Sequence, residues 1–183
     1  MRMGMSVTID AASGADAEPI LKLQYLCYQS EAETYANWSI EPLTESLDQL
    51  RERLAGRLVL VARLGEEVVG AVSGWTDESG TGHIERLCVH PRLHRHGLGG
   101  RLVRRLEEGL AAASARGESA PLVRYRLFTG HRSLGNLRLY QRLGYERTGI
   151  EEVDARLSFV IMEKPAPGSA SAPAPAAAHA AVA

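Results

Sequence analysis

At 183 residues the chain is of single-domain size and long enough to bury a real core. Hydrophobic residues make up 45% and charged residues 23%, the ordinary balance of a soluble globular domain. A formal net charge of −1 argues against a general nucleic-acid binder, and no apolar stretch reaches membrane-spanning length.

Residues 7–10 read as a short first strand. Residues 16–35 read as a helix, with Ile20, Leu23, Leu26 and Cys27 at helical spacing. Residues 37–42 break it, Thr44 is expected to cap a second helix carrying Leu47, Leu50 and Leu54, and Gly56 ends that one. Residues 58–62, 68–75 and 81–89 read as three strands joined by tight turns, hence an antiparallel meander. The next helix carries Leu98, Leu102, Leu106, Leu110 and Ala113 on one face and stops at Gly117. Residues 122–129 follow as a strand, and a helix-sized connection implies a right-handed parallel crossover from 81–89. Ser133 is expected to cap a short helix reaching Leu143, and residues 145–148 with 157–163 to close the sheet as a hairpin.

The fold class is therefore α/β: one domain with a mixed central sheet of about seven strands and helices on both faces. Residues 1–5 are expected to be a flexible N-terminus, 6–164 the folded domain, and 165–183 a disordered extension rich in Ala and Pro. Residues 1–10 contain no apolar leader segment, so a reducing cytoplasm is the expected compartment. Cys27 and Cys88 lack metal-ligand or disulfide-framework spacing, and Cys88 reads as a small core residue.

The richest stretch is Leu87-Cys88-Val89-His90-Pro91, followed by His94-Arg95-His96-Gly97-Leu98-Gly99-Gly100 and the amphipathic run. An apolar strand ends at proline, a basic turn follows, and glycines open a helix. Such a junction presents unpaired backbone N–H groups at a positive helix end, where a phosphate can sit. The basic character of residues 92–105 suits the same anionic ligand. Three imidazoles at His90, His94 and His96 also invite a metal reading, but no carboxylate or cysteine at a convincing spacing completes the set, so no metal is expected.

Further along, Asn136-Leu137-Arg138-Leu139-Tyr140 places Asn136 and Tyr140 one helical turn apart on one face. In residues 81–89, strand alternation puts His83, Glu85, Leu87 and Val89 on one face.

The order Val89-x-Pro91, a spacer, then His94-x-x-Gly97-x-Gly99 resembles the acyl-CoA-binding motif of the GNAT superfamily of N-acetyltransferases. Residues 136–145, Asn-Leu-Arg-Leu-Tyr-Gln-Arg-Leu-Gly-Tyr, resemble that family's second signature, and the resemblance covers residues 6–164. It implies a fold whose fourth and fifth strands splay to admit the acyl-CoA arm, with acetyl-CoA as the acyl donor and an amine as acceptor. Leu87, Cys88 and Val89 would then pair with the pantetheine, and the amides around His94, Arg95, His96, Gly97, Leu98, Gly99 and Gly100 would hold the pyrophosphate. Asn136 would hydrogen-bond the pantetheine, and Tyr140 would protonate the departing thiolate.

An amine is mostly protonated at neutral pH, so a base must free its lone pair. Family members often carry that base on this strand; Glu85 is the first candidate and His83 the second. One departure is His94, where the family usually has Gln or Arg. The acceptor site is expected to draw on Glu31, Glu33, Tyr35, Trp38 and Glu41, with Arg124 and Arg126 on the fifth strand. The resemblance is compatible with a homodimer, which nothing in the sequence predicts. Two readings from other classes stand beside the enzyme: a non-catalytic acyl-CoA-binding sensor, and a metal protein built on the histidines.

Overall fold

The computed structural model describes residues 6–169. The expectations for residues 1–5, and for the tail from residue 170 onward, lie outside the described residues. Strands run β1 (Val7–Ala11), β2 (Leu58–Leu64), β3 (Glu67–Thr76), β4 (Thr81–Val89), β5 (Arg124–Gly130), β6 (Glu146–Glu152) and β7 (Ser158–Pro165). Helices are α1 (Ala17–Cys27), α2 (Gln29–Tyr35), α3 (Glu41–Thr44), α4 (Leu47–Leu54), α5 (Leu98–Ala115) and α6 (Leu134–Arg142). The strands form one seven-stranded mixed sheet in the order β1-β2-β3-β4-β5-β7-β6, as the α/β expectation required. The described residues cluster into two compact units, 6–73 with Leu87–Leu106 and Gly74–Arg86 with 107–169.

In the first unit β1 pairs antiparallel with β2, from Val7 opposite Leu64 to Ala11 opposite Leu60. Ile20, Leu21 and Leu23 of α1 and Leu50 of α4 bury against Val61, Ala71 and Cys88. Each such large side chain contributes about 1.5–3 kcal/mol on burial. On the other face of β3, a Cβ at Gly70 would lie 2.9 Å from Leu102 Cδ1 of α5, so glycine lets that helix approach closely.

Two local expectations change in this unit. The single helix expected over residues 16–35 is split at Tyr28, which links α1 to α2 at φ −85, ψ −1. Ser46, not Thr44, caps α4: its Oγ accepts the Gln49 N–H at 3.2 Å while Gln49 Oε1 accepts the Ser46 N–H at 2.8 Å. The reason is Pro42, which starts the extra turn α3 and leaves Thr44 at that turn's end.

The segment between α3 and α4 is clamped to α1 by buried polar groups. Gln24 Nε2 donates to Glu45 Oε2 at 2.8 Å and to Pro42 O at 2.9 Å. Arg53 Nε pairs with Glu45 Oε1 at 2.8 Å, the carboxylate being buried and the guanidinium partly so. A buried pair of this kind adds little net stability when intact, but removing one partner strands the other charge.

In the second unit β4 and β5 run parallel, as the crossover required, pairing from Thr81 opposite Arg124 to His83 opposite Arg126. The pairing stops there. β7 lies antiparallel to β5, from Arg124 opposite Pro165 to Gly130 opposite Phe159, and β6 pairs on its outer side. The expected closing hairpin is therefore present, with its second strand placed inside its first. Ser133 occupies the N-cap position of α6 and its carbonyl accepts the Leu137 N–H at 3.0 Å, but its side chain makes no capping bond.

Pro165 ends β7, and buried Ala166 donates its N–H to Val123 O at 2.9 Å. Among the described residues no helix is long and apolar enough to cross a membrane.

Replacing Glu45 with Ala leaves the partly buried Arg53 guanidinium without its carboxylate. Urea unfolding is expected to show a loss of about 3 kcal/mol, and a loss below about 0.5 kcal/mol, the usual size of a surface change, would contradict the clamp.

Candidate active site

β4 carries five of the residues singled out from the sequence, and it is not a uniform strand. Arg86 has φ 55, in the left-handed region that residues with a Cβ avoid. In the second unit the Asp77 N–H donates to Thr81 O at the hairpin end, and in the first the His90 N–H donates to Val69 O. A left-handed residue interrupts the two-residue alternation of a strand.

The expectation that His83, Glu85, Leu87 and Val89 share one face assumes unbroken two-residue alternation, which the left-handed Arg86 does not keep. In the second unit His83 stacks on Trp75, and in the first Cys88 packs in the cluster with Ala71.

At the end of β4 the Val89 carbonyl accepts two hydrogen bonds, from Cys27 Sγ at 3.3 Å and from His94 Nε2 at 2.9 Å. To donate to a carbonyl, His94 Nε2 must carry the ring hydrogen. That atom is therefore committed to bracing the loop. Pro91–Leu93 form one 3₁₀ turn, His90 Nδ1 accepts the Arg92 N–H at 3.3 Å, and Arg92 is ion-paired with Glu67.

Arg95 at φ 65 and Gly97 at φ 73 then flank His96, whose φ is negative. Alternating handedness turns successive N–H groups toward one side, the geometry of an anion-binding nest. The first helical bond of α5 runs from Arg101 N–H to Gly97 O at 3.1 Å. The N–H groups of Gly97, Leu98, Gly99 and Gly100 consequently have no acceptor within the helix. A Cβ at Gly97 would meet nothing within 4 Å, so the turn is open on that side. Arg95 and His96 are exposed beside it, and the α5 dipole adds positive potential.

On the earlier half of β4, His83 is held from two sides. Its Nε2 lies 2.7 Å from Asp77 Oδ2, and its ring stacks on Trp75 with centroids 4.5 Å apart. Asp77 also accepts the Ser79 and Thr81 N–H groups at 2.9 and 3.0 Å and the Ser79 hydroxyl at 2.7 Å. Burial acts to raise its pKa, but the bonds from Ser79, His83 and Thr81 outweigh it and hold the carboxyl at about 2. Asp77 is not among the candidates the sequence offers; an acidic residue across a tight turn from a strand histidine was the available signal. Glu85, by contrast, is buried at 3% relative exposure.

In the second unit α6 presents half-buried Asn136 one turn before Tyr140. Tyr140 is fully buried, edge-on to Tyr145 with centroids 6.1 Å apart. Burial, ahead of nearby Glu107, pushes the Tyr145 hydroxyl pKa up. Two of the expected acceptor residues are occupied in the sheet: Arg124 and Arg126 pair with Glu163 of β7 at 3.6 and 3.1 Å. Tyr35 is buried, which withdraws it from a surface role, while Trp38 is exposed. His131 Nδ1 lies 3.0 Å from the Ser158 N–H and ties the end of β5 to β7. Among the described residues no three His, Cys, Asp or Glu side chains are grouped to hold a metal ion.

Because the Asp77 pKa in the folded chain lies below its reference value of 3.8, Asp77 stabilises the fold fully above that value and progressively less as pH falls toward about 2. Asp77→Asn is expected to cost roughly 2 kcal/mol at neutral pH and to flatten the acid limb of the stability curve. Urea unfolding across that pH range checks this; parallel curves for the two proteins would refute it.

The sequence profile of the acetyltransferase (GNAT) family matches residues 20–145. None of the curated proteins matches the chain in sequence. Solved structures match it in fold. The phosphinothricin acetyltransferase of Sinorhizobium meliloti, in complex with AcCoA, superposes with TM-score 0.72 at 17% identity, over 90% of this chain and 91% of its own. The ribosomal-protein-S18-alanine N-acetyltransferase of Escherichia coli gives 0.69 at 16% identity, over 91% and 97%. The PaiA N-acetyltransferase of Thermoplasma acidophilum, in complex with coenzyme A, gives 0.68 at 20%, over 88% and 99%. At such identities these likenesses speak for the fold. The profile spans more than half of the sequence and both of its signature segments, and on that ground the chain belongs to the GNAT acetyltransferase family.

Proposed function

We propose that this chain is an N-acetyltransferase that moves an acetyl group from acetyl-CoA to a primary amine by direct attack in a ternary complex. The observation that carries the reading is the turn Arg95–Gly100, where a left-handed pair opens four helix N–H groups to one anion. Structural relatives in complex with coenzyme A or AcCoA support that ligand. Acetyl-CoA supplies a thioester, an acyl group joined to a thiolate that can leave.

The residues divide the remaining work. The N–H groups of Gly97, Leu98, Gly99 and Gly100 hold the pyrophosphate, with Arg95 and His96 adding charge. His94 contributes by fixing the loop through Val89 O. Leu87, Cys88 and Val89 offer backbone to the pantetheine, and an N–H there faces the acyl oxygen as charge develops on it. Asn136 binds the pantetheine, and the Tyr140 hydroxyl gives its proton to the thiolate.

Between the two candidate bases, the geometry favours His83 over Glu85. Asp77 holds His83 Nε2 and so leaves Nδ1 as the acceptor of the amine proton, while Glu85 is buried. Asp77 is then a positioning residue.

The test follows free thiol release from acetyl-CoA with a broad panel of amines. Amine-dependent release is expected, falling roughly a hundredfold in Tyr140→Phe. His83→Gln should lower the amine-dependent rate by roughly a hundredfold or more, and Asp77→Asn should lower it less. Acetyl-CoA binding without release for any amine would favour the sensor reading, and absence of binding would overturn the assignment.

A further inference from the structure

The two cysteines, unrelated by spacing in the sequence, meet in the fold. Cys27 is the last residue of α1 and half-buried, and Cys88 is buried in β4 one residue before Val89. Both belong to one packed cluster of the first unit, and the Cys27 thiol also donates to the Val89 carbonyl at 3.3 Å. A helix end and a strand end 62 residues apart are thus pinned together by sulfur.

We propose that Cys27 and Cys88 form a reversible intramolecular disulfide when the protein meets a peroxide. The thiols differ in the way such a pair requires. The hydrogen bond from the Cys88 side chain, foremost, lowers the Cys27 pKa against the opposing effect of burial. Cys27 is also the more exposed of the two, so it is the one that reacts first.

Its thiolate attacks one peroxide oxygen, the O–O bond breaks, and a water leaves after protonation, giving Cys27 sulfenic acid. The Cys88 sulfur then displaces hydroxide from the Cys27 sulfur, which leaves as a second water. The thiol pair loses two electrons, and one peroxide becomes two waters. Closing the bond removes the thiol hydrogen that Val89 O accepts.

Reduced protein is exposed to hydrogen peroxide, quenched with catalase, unfolded in denaturant with an alkylating agent, and read by intact mass and peptide mapping. The expected product is a monomer lighter by two hydrogens, unalkylated, with Cys27 and Cys88 peptides cross-linked and both thiols recovered by dithiothreitol. Cys27→Ala keeps the buried partner in place and should leave Cys88 fully alkylated after the same treatment. Two alkylated thiols in the treated wild type would overturn the proposal. So would oxidation that dithiothreitol does not reverse, or a cross-link between chains. The readout needs no acetyl-CoA, so its failure leaves the proposed function standing.

Discussion

The Val89 carbonyl, bonded by Cys27 and His94, is the constraint on which the turn into α5 depends. Cys88, one residue before it, is buried in the cluster with Ala71 and α1, which fixes the end of β4 in the first unit. From this anchored point the chain passes through a single 3₁₀ turn into Arg95, Gly97 and the start of α5.

Electrostatics in the two units serve different ends. At the start of α5, backbone donors and exposed basic side chains are left facing outward, which suits an anion brought from solution. In the second unit charge is mostly neutralised inside the fold. Arg124 and Arg126 share Glu163, and Lys164 Nζ meets Glu107 at 2.7 Å while lying over the Tyr145 ring. Asp77 and His83 stand between these cases: an ion-pair geometry on a half-buried turn, with one imidazole nitrogen left over for chemistry.

How far the sequence could be read depends on whether each feature is local. The bounds of β4 and the start of α5 were legible, because proline, glycine and apolar periodicity mark them directly. The parallel crossover followed from connection length alone. The left-handed residue in β4 was not legible, since Arg86 carries none of the glycine or asparagine signal that announces one. Thr44 reads as a cap because Pro42 reads as a breaker, although Pro42 begins a turn and leaves the cap to Ser46. Arg124 and Arg126 looked like ligand contacts because their partner, Glu163, arrives only when β7 inserts beside β5. Asp77 and the pair of cysteines depend likewise on contacts that no spacing encodes.

Amide NMR of the labelled protein, titrated with acetyl-CoA, tests the central claim most directly. The account predicts that the largest shifts, together with protection from hydrogen exchange, fall on the N–H groups of Gly97, Leu98, Gly99 and Gly100. Saturable binding that leaves those four amides unmoved would contradict it.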